Sequence, residues 1–406
     1  MTSETRYDVV IAGGGMIGTS LALALAQLDL RIAVVEAVAR DEDTQPSFDD
    51  RSTALSRSTQ RTFEALGLWP QIAAASTPIR HIHVSDKGRF GFSHIDAEEQ
   101  GVEALGFVVF NRVLGSVLQR AAREQASIDV LCPASIADID IDLDGGEAVA
   151  VVEGDTRREI RAPLLVAADG ANSSVREMMG ISAIRSEYGQ TAVIGNLLTE
   201  IPIGNKAYER FTRDGPLAFL PVNDGRAAFI RVVPEGDAER VLELDDEAFL
   251  DELQELFGNR LGRLSNLGKR ASYPLALSRA LRLIANRSVL IGNSAHGLHP
   301  VAAQGFNLGM RDVAALCDCV ADADELGSRT MLERYAEWRR SDQSKLVHFT
   351  DNLVGLFGSA RPPVRLLRSI GMLAFDLVPG LRAEFARQTM GLAGRLPRLS
   401  RGVPLR

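Results

Sequence analysis

Three glycines near the start of the chain have the spacing G-x-G-x-x-G, which can hold the pyrophosphate of a dinucleotide. Gly13 permits a tight turn, Gly15 lets the backbone approach a pyrophosphate, and Gly18 lets helix and strand pack closely. Glu36 ends the next predicted strand, where a carboxylate can accept hydrogen bonds from ribose hydroxyls. The pattern predicts a dinucleotide site without distinguishing FAD from NAD, and a glycine-rich turn of an ordinary βαβ unit is the alternative.

Two later segments add further polar and glycine-rich patterns. Residues 168–176 read A-D-G-A-N-S-S-V-R, and residues 291–296 read I-G-N-S-A-H, followed by Pro300 and by Q-G-F-N at residues 304–307. Together with the glycine motif, and in this order, they resemble the elements of the FAD-dependent aromatic hydroxylases, and the resemblance spans nearly the whole chain. It implies that the dinucleotide is FAD and that the protein is a flavin monooxygenase.

The resemblance assigns roles to individual residues. The turn at Asn293 would hold the ribityl chain, as a neutral partner where the family usually has Asp, and Asp169 would bridge the backbone on the flavin and pyridine-nucleotide sides. The helix that follows Gln304 would direct its positive end at the flavin pyrimidine edge, where amides stabilise the negative charge of the reduced ring. The residues predicted to bind the cofactor are Gly13, Gly15, Gly18, Glu36, Arg51, Arg112, Asp169, Asn293, Pro300, Gly305, Phe306 and Asn307.

Shorter segments resemble the ubiquinone-biosynthesis hydroxylases within this family, namely residues 48–55, 83–88, 211–221, 268–275 and 305–312. They are most similar to the branch that hydroxylates 2-octaprenyl-6-methoxyphenol to 2-octaprenyl-6-methoxy-1,4-benzoquinol. By this resemblance NAD(P)H reduces the FAD, and O2 gives the flavin C4a-hydroperoxide that hydroxylates the polyprenylated phenol. The pocket candidates are Tyr273, Pro300 and His83, and no side chain is assigned as catalytic base.

Several other functions are weighed against this one. A sister ring hydroxylase of the same pathway and a non-catalytic FAD-binding scaffold of the biosynthetic complex stay open, and a prenyl reductase or dehydrogenase would not need oxygen. A flavin-dependent halogenase would carry W-x-W-x-I-P, which is absent because the only tryptophans are Trp69 and Trp338. His81 and His83 share one face of a predicted strand, but no third ligand stands nearby, so no metal site is predicted.

These residues must be positioned by two interleaved structures. A strand, a helix and a strand within residues 7–36 predict a βαβ unit with parallel strands. Residues 128–162 predict a β-meander, and residues 182–272 predict an antiparallel sheet with one helix, at 246–257. These patterns predict an α/β fold class, with a discontinuous Rossmann-like domain, an inserted antiparallel sheet and a C-terminal helical extension. The resemblance implies that the first domain binds FAD, that the inserted one binds the substrate, and that the fold is of the p-hydroxybenzoate hydroxylase type. The predicted domains are 1–75, 105–181 and 276–345 for FAD, 76–104 and 182–275 for the substrate, and 346–406 for the extension.

Composition limits the partners of this protein. The 406 residues are 46% hydrophobic and 24% charged, as in ordinary globular proteins, and the net charge of -8 argues against nucleic acid. The three cysteines form no disulfide framework, which favours a cytoplasmic location. No apolar run approaches the ~18 residues that a membrane-spanning helix needs, so no crossing is predicted.

The C-terminal end has the opposite charge from the rest of the chain. Residues 361–406 hold nine arginines against Asp376 and Glu384, a local balance of +7. An apolar stripe at helical spacing begins in the same segment, at Leu366, Ile370, Leu373 and Leu377. The combination predicts peripheral contact with an anionic membrane surface, and docking on the enzyme core or on another subunit is the alternative. The oligomeric state is left open.

Overall fold

A computed structural model gives the fold and describes residues 5–39, 51–88, 92–141, 146–223, 225–297, 304–342 and 379–406. The strands are β1 (Thr5–Arg6), β2 (Val9–Ala12), β3 (Ile32–Val35), β4 (Ser52–Ser56), β5 (Thr77–Ile79), β6 (His81–Asp86), β7 (Phe92–Asp96), β8 (Gly106–Phe110), β9 (Ile128–Leu131), β10 (Ser135–Asp140), β11 (Ala148–Glu153), β12 (Arg158–Ala162), β13 (Leu164–Ala167), β14 (Ala183–Thr199), β15 (Lys206–Phe211), β16 (Pro216–Pro221), β17 (Arg226–Pro234), β18 (Leu264–Ser265), β19 (Ala271–Ala280), β20 (Ile284–Ala285), β21 (Ser288–Leu290) and β22 (His296–Gly297). The α-helices are α1 (Met16–Ala26), α2 (Arg57–Ala65), α3 (Trp69–Ala73), α4 (Asn111–Glu124), α5 (Ser174–Met178), α6 (Ala238–Glu243), α7 (Asp246–Phe257), α8 (Gly305–Ala321), α9 (329–342) and α10 (Pro379–Thr389).

A six-stranded sheet with the order β20-β21-β13-β2-β3-β9 forms the centre of the first domain. Successive side chains of a strand point to opposite faces, so Val9 and Ile11 join the core under α1, α4 and α8. Val10 and Ala12 join a second core under the four-stranded sheet β1-β12-β11-β10. The central strands read as continuous apolar runs because both of their faces are covered.

The predicted meander at 128–162 is partly different in the structure. Strands β10, β11 and β12 do pair antiparallel, one after another. Strand β9, however, pairs parallel with β3, with Val130 opposite Val34. It follows α4 as the crossover of a βαβ-type unit and therefore joins the parallel sheet.

A large sheet forms the second domain, in the order β22-β19-β14-β17-β16-β15-β6-β7, with β18 beside β14. One of its faces is covered by α6 and α7, where Phe249 and Phe257 pack with Phe219 and Phe229. The sequence predicted only α7 here, and α6 is an additional short helix whose Val241 is buried. The other face turns toward the first domain and meets the small sheet β4-β8-β5. Strand β19 continues past the predicted boundary at residue 275, and the domain limits stay a prediction.

The described part of the C-terminal extension docks on the body of the protein. Met390 packs with Ile95, and Leu399 is buried in the core of the first domain. Arg398 donates its backbone N–H to Asp318 at 3.1 Å and forms an ion pair with Asp322. Some of the basic charge is therefore paired with the acidic body. The apolar stripe from Leu366 to Leu377 lies outside the described residues.

None of the helices in the described ranges combines the length and the apolar character that a membrane crossing requires.

Candidate functional site

The glycine turn between β2 and α1 leaves no room for larger side chains. Gly13 has φ of +99°, and a Cβ atom there would lie 2.5 Å from the carbonyl oxygen of Ala168. A Cβ atom on Gly18 would lie 1.9 Å from the carbonyl oxygen of Gly13. Gly15 is the N-cap of α1, and no side chain caps this end of the helix. The backbone N–H groups there can donate hydrogen bonds to an anionic group such as a pyrophosphate.

Glu36 holds the same turn from the end of the neighbouring strand. Its two carboxylate oxygens accept the backbone N–H of Gly14 at 2.7 Å and of Val38 at 2.8 Å. The side chain also lines the cavity described below, with lone pairs left for a ribose hydroxyl.

Glu36→Gln should weaken FAD binding about 10-fold, because an amide has one acceptor oxygen for two backbone donors and loses the charge. Titration of the apoprotein with FAD, followed by flavin fluorescence, measures the change. The control is Glu153→Gln, which alters a half-exposed carboxylate paired with Arg157 and should bind FAD as the wild type does. Equal affinity for the Glu36 variant would contradict the role of the carboxylate.

Asp169 follows β13 and organises the loop that leads to α5. Its carboxylate accepts the Ser173 hydroxyl and, at 3.1 Å, the backbone N–H of Val175. Ser173 in turn caps α5 by accepting the N–H of Arg176. Asp169 therefore has a structural function in this loop and also lines the cavity.

The turn after β21 carries Asn293 into the same space. Gly292 has φ of +59° and Asn293 is exposed on the cavity wall. The N-terminus of α8 lies at this wall as well, because Gly305 and Phe306 line it. A 17-residue helix thus directs its positive end into the cavity.

A buried cluster of charges supports this turn from below. Asp312 of α8 is fully buried and accepts the Gly292 N–H at 2.9 Å, His296 Nε2–H at 2.6 Å and Arg339 Nε–H at 2.6 Å. Burial by itself would raise the pKa of Asp312, but the charges of His296 and Arg339 and these hydrogen bonds lower it to about 2. Arg339 is also paired with Asp342. The cluster connects the turn to α8 and α9.

A cavity of about 700 Å³ brings most of these residues together. The predicted cofactor residues that line it are Gly13, Gly15, Glu36, Arg51, Asp169, Asn293, Gly305 and Phe306. Leu220 and Ile230 of the large sheet form the opposite wall. Amides that can donate to an anion, a carboxylate for ribose and a helix N-terminus at one end are the groups that an FAD molecule requires, so the residues present fit this cofactor.

Other predicted cofactor residues have different positions. Asn307 is buried and connects α8 to β4. Its amide N–H donates to the Ala54 carbonyl, and its amide oxygen accepts the Ser56 N–H and the Thr59 hydroxyl, at 2.8 Å each. Arg112 is exposed at the start of α4, with its guanidinium 5.1 Å from the Phe110 ring centroid. Pro300 lies outside the described residues.

Two of the pocket candidates, Tyr273 and His83, are separated by the large sheet. Tyr273 lies beside the cavity, and its ring centroid is 4.6 Å from the guanidinium carbon of Arg51. His83 lies on the opposite face, where its ring contacts Tyr208 and His94. Its Nδ1 is 2.9 Å from His94 Nε2, and its Nε2 accepts from Arg260. Burial, followed by the charges of Arg260 and His94, lowers the pKa of His83 to about 4.

His83→Gln should make folding less sensitive to acid. The pKa of His83 is about 4 in the folded protein and about 6.5 in the unfolded chain. Its contribution to stability is therefore complete above about pH 6.5 and is lost as the pH falls toward about 4. Between pH 7.5 and pH 5, the free energy of unfolding of the wild type should fall by about 2 kcal/mol more than that of the variant. Urea unfolding at both pH values measures this.

His81→Gln is the matched control for that experiment. His81 lies on the same strand but is half exposed, where it pairs with Asp96. This variant should keep the acid sensitivity of the wild type. A parallel pH dependence for all three proteins would show that protonation of His83 does not limit stability.

Comparisons with known proteins agree with this geometry. Residues 6–350 match the model of the family described as FAD binding domain. The chain is 37% identical, over all of its length and 95% of the relative, to ubiquinone hydroxylase UbiL of Rhodospirillum rubrum. It is 31% identical, over 97% of its length and all of the relative, to 3-demethoxyubiquinol 3-hydroxylase of Escherichia coli. The crystal structure of p-nitrophenol 4-monooxygenase PnpA from Pseudomonas putida superposes with a TM-score of 0.79 at 18% identity, over 97% of this chain and 99% of that one, which confirms the predicted fold class.

Proposed function

Because this chain belongs to the FAD binding domain family and is an FAD-dependent monooxygenase, we propose that it hydroxylates 2-octaprenyl-6-methoxyphenol to 2-octaprenyl-6-methoxy-1,4-benzoquinol in ubiquinone biosynthesis. The observation that carries the proposal is the cavity, in which the FAD-binding turns face an apolar sheet wall at Leu220 and Ile230. A phenol ring with a prenyl chain would rest against such a wall. The 37% identity with ubiquinone hydroxylase UbiL along the whole chain supports a ring hydroxylase of this pathway.

Bound FAD supplies the chemistry that activates O2 after reduction by NAD(P)H. The N-terminus of α1 would hold the pyrophosphate, and Glu36, which already accepts the Gly14 N–H, would hold the ribose. Asn293 would contact the ribityl chain, and the N-terminus of α8 would stabilise negative charge at the flavin ring. Leu220 and Ile230 exclude water from the side on which the substrate would lie.

A second candidate is a sister hydroxylase of the same pathway, which acts on a related precursor and at a different ring position. The identity of 31% with 3-demethoxyubiquinol 3-hydroxylase, which extends over the whole of that relative, favours it. The apolar wall would serve either position, because both substrates are prenylated quinone precursors.

The experiment that separates these candidates is deletion of the gene, followed by mass spectrometry of the quinone precursors. Accumulation of the 6-methoxyphenol intermediate supports the first candidate, and accumulation of a precursor blocked at another position supports the second. A normal quinone pool would contradict both. A strain complemented with the wild-type gene is the control.

A peripheral position on the membrane is proposed with this function, since the substrate resides in lipid. Its support is the sequence of residues 361–377, where arginines precede an apolar stripe. The protein should sediment with vesicles that contain anionic lipid and should be released by salt, because exposed charges are screened. Equal binding to neutral vesicles would contradict the electrostatic contribution.

A further inference from the structure

Glu209 is a carboxylate on the inner face of the large sheet. It lies on β15 between Tyr208 and Arg210, and side chains alternate along a strand. Tyr208 packs with Phe257 of α7 on the outer face, at 5.4 Å between ring centroids. Glu209 must therefore point the other way, toward the first domain.

The strand register connects Glu209 to the wall of the FAD cavity. Glu209 is opposite Ala218 on β16, and Ala218 is opposite Ile230 on β17. All three share one face, and Ile230 lines the cavity. Leu220, the other wall residue, is the diagonal neighbour of Glu209 on β16. Diagonal neighbours on adjacent antiparallel strands are about 7–8 Å apart. A glutamate side chain can cross that distance to a ring lying on the wall.

The surroundings of Glu209 are mostly apolar. The small sheet meets this face through Ala54, Ile79 and Val108, none of which ionises. On the flanking strands, β16 contributes no ionisable side chain to this face and β6 contributes Asp86. Within the described residues no ion pair or hydrogen bond to the Glu209 carboxylate is found, although the side chain is not completely shielded from solvent. Burial raises the pKa of Glu209 to about 7.

We propose that Glu209 is the catalytic base that accepts the phenolic proton of the substrate. This inference rests on the proposed hydroxylation of a prenylated phenol. If the phenol ring lies on Leu220 with its oxygen directed toward β15, that oxygen meets the Glu209 carboxylate. Strands β6 and β16, which flank β15, place no cation on this face. The position follows from register and burial, and it supplies the base that the sequence motifs did not identify.

The step transfers one proton and changes no oxidation state. The O–H bond of the phenol breaks, its electron pair stays on the ring oxygen, and the proton forms an O–H bond with a Glu209 carboxylate oxygen. The resulting phenolate is more nucleophilic at its ortho and para carbons, where oxygen is inserted. The protonated carboxyl returns its proton to the ring oxygen of the product or to solvent.

Glu209→Gln in the FAD-loaded enzyme tests this role, because the amide keeps the shape and cannot accept the proton. With a methoxyphenol that carries one isoprenyl unit as the probe, kcat/KM at pH 7 should fall about 100-fold, a typical effect of losing a general base. FAD content should not change, and more of the consumed NADH should appear as H2O2 because reduction continues without hydroxylation.

The pH profile distinguishes a base from a structural residue. In the wild type, kcat/KM should rise with pH through about 7, since only the carboxylate form of Glu209 accepts a proton. The Gln variant should lose this limb and recover as pH approaches the phenol pKa of about 10, where the probe ionises in solution. Glu209→Asp, which keeps a carboxylate, should restore part of the rate and the limb near pH 7. Glu187→Gln, an exposed change in β14 of the same sheet, should behave as the wild type.

The possible outcomes are separable. A Gln variant with wild-type kcat/KM and an unchanged limb overturns this inference alone. A loss that is the same at every pH, without rescue by Asp, shows a structural role and also overturns it. A wild-type enzyme that hydroxylates no prenylated phenol overturns the proposed function, and the inference with it.

Discussion

Replacing Gly18 with alanine should leave the purified protein nearly free of flavin. The new Cβ atom would lie 1.9 Å from the carbonyl oxygen of Gly13, far inside van der Waals contact. Gly13 cannot move easily, because its φ of +99° and its close approach to Ala168 already fix the turn. Either α1 or the turn must shift, and such overpacking typically costs about 1–3 kcal/mol. If this falls on the FAD-bound form, the affinity for FAD should drop by up to about 100-fold.

The flavin absorbance per protein after gel filtration measures this change directly. Gly236→Ala is a suitable control, because that glycine has open space around its Cβ position and ordinary backbone angles. It should retain full FAD occupancy. A Gly18 variant that binds FAD as tightly as the wild type would mean that the pyrophosphate does not lie on this turn.

Replacing Asp312 with asparagine should destabilise the fold by about 3–5 kcal/mol, the usual effect of removing one partner of a buried ion pair. The carboxylate accepts three donors, from Gly292, His296 and Arg339, whereas an amide would direct its own N–H groups at one of them. The charge of Arg339, which is 2% exposed, would keep only Asp342 as its partner. FAD affinity should fall too, because Asp312 holds the turn that carries Asn293.

The same substitution should change the response to acid. The pKa of Asp312 is lowered to about 2 in the fold, against about 4 in the unfolded chain. Its contribution to stability is therefore complete above about pH 4 and is lost as pH falls through about 2. The difference in unfolding free energy between wild type and variant should shrink over this window, which denaturant unfolding at several pH values can follow.

Asp322→Asn is the matched control for Asp312. Asp322 follows the same helix but pairs with Arg334 and Arg398 at the surface, where ion pairs contribute about 0–1 kcal/mol. If both variants unfold with similar free energies, the buried cluster does not carry the stability assigned to it.

The first βαβ unit was predictable because its signals are local. A β-rich run, three glycines and a carboxylate at the end of the next strand are enough to predict the turn, and they place Glu36 beside it. The motifs at 168–176 and 291–307 were assigned to FAD by resemblance, and the family and the fold class are confirmed. The individual site residues stay predictions until they are tested.

Other features depended on contacts between distant segments. Nothing near Asp312 in sequence indicates Arg339 as its partner, since the pair forms only when α9 packs against α8. Asn307 was predicted to contact the cofactor, yet in the fold its amide joins β4 to α8. Its distance from these partners along the chain, about 250 residues, hides such a role from any motif.

The glycine turn was predictable from the sequence, because the steric limits on Gly13 and Gly18 come from backbone atoms a few residues away or on the adjacent strand. The sequence by itself also determined the apolar runs from which the strands are built. Which face of the large sheet meets the FAD cavity was decided only by tertiary structure. The strand pattern alone would allow either His83 or Glu209 to face inward. The apolar side chains of α7 cover the face that carries Tyr208, so that face is the outer one and Glu209 lies beside the cavity wall.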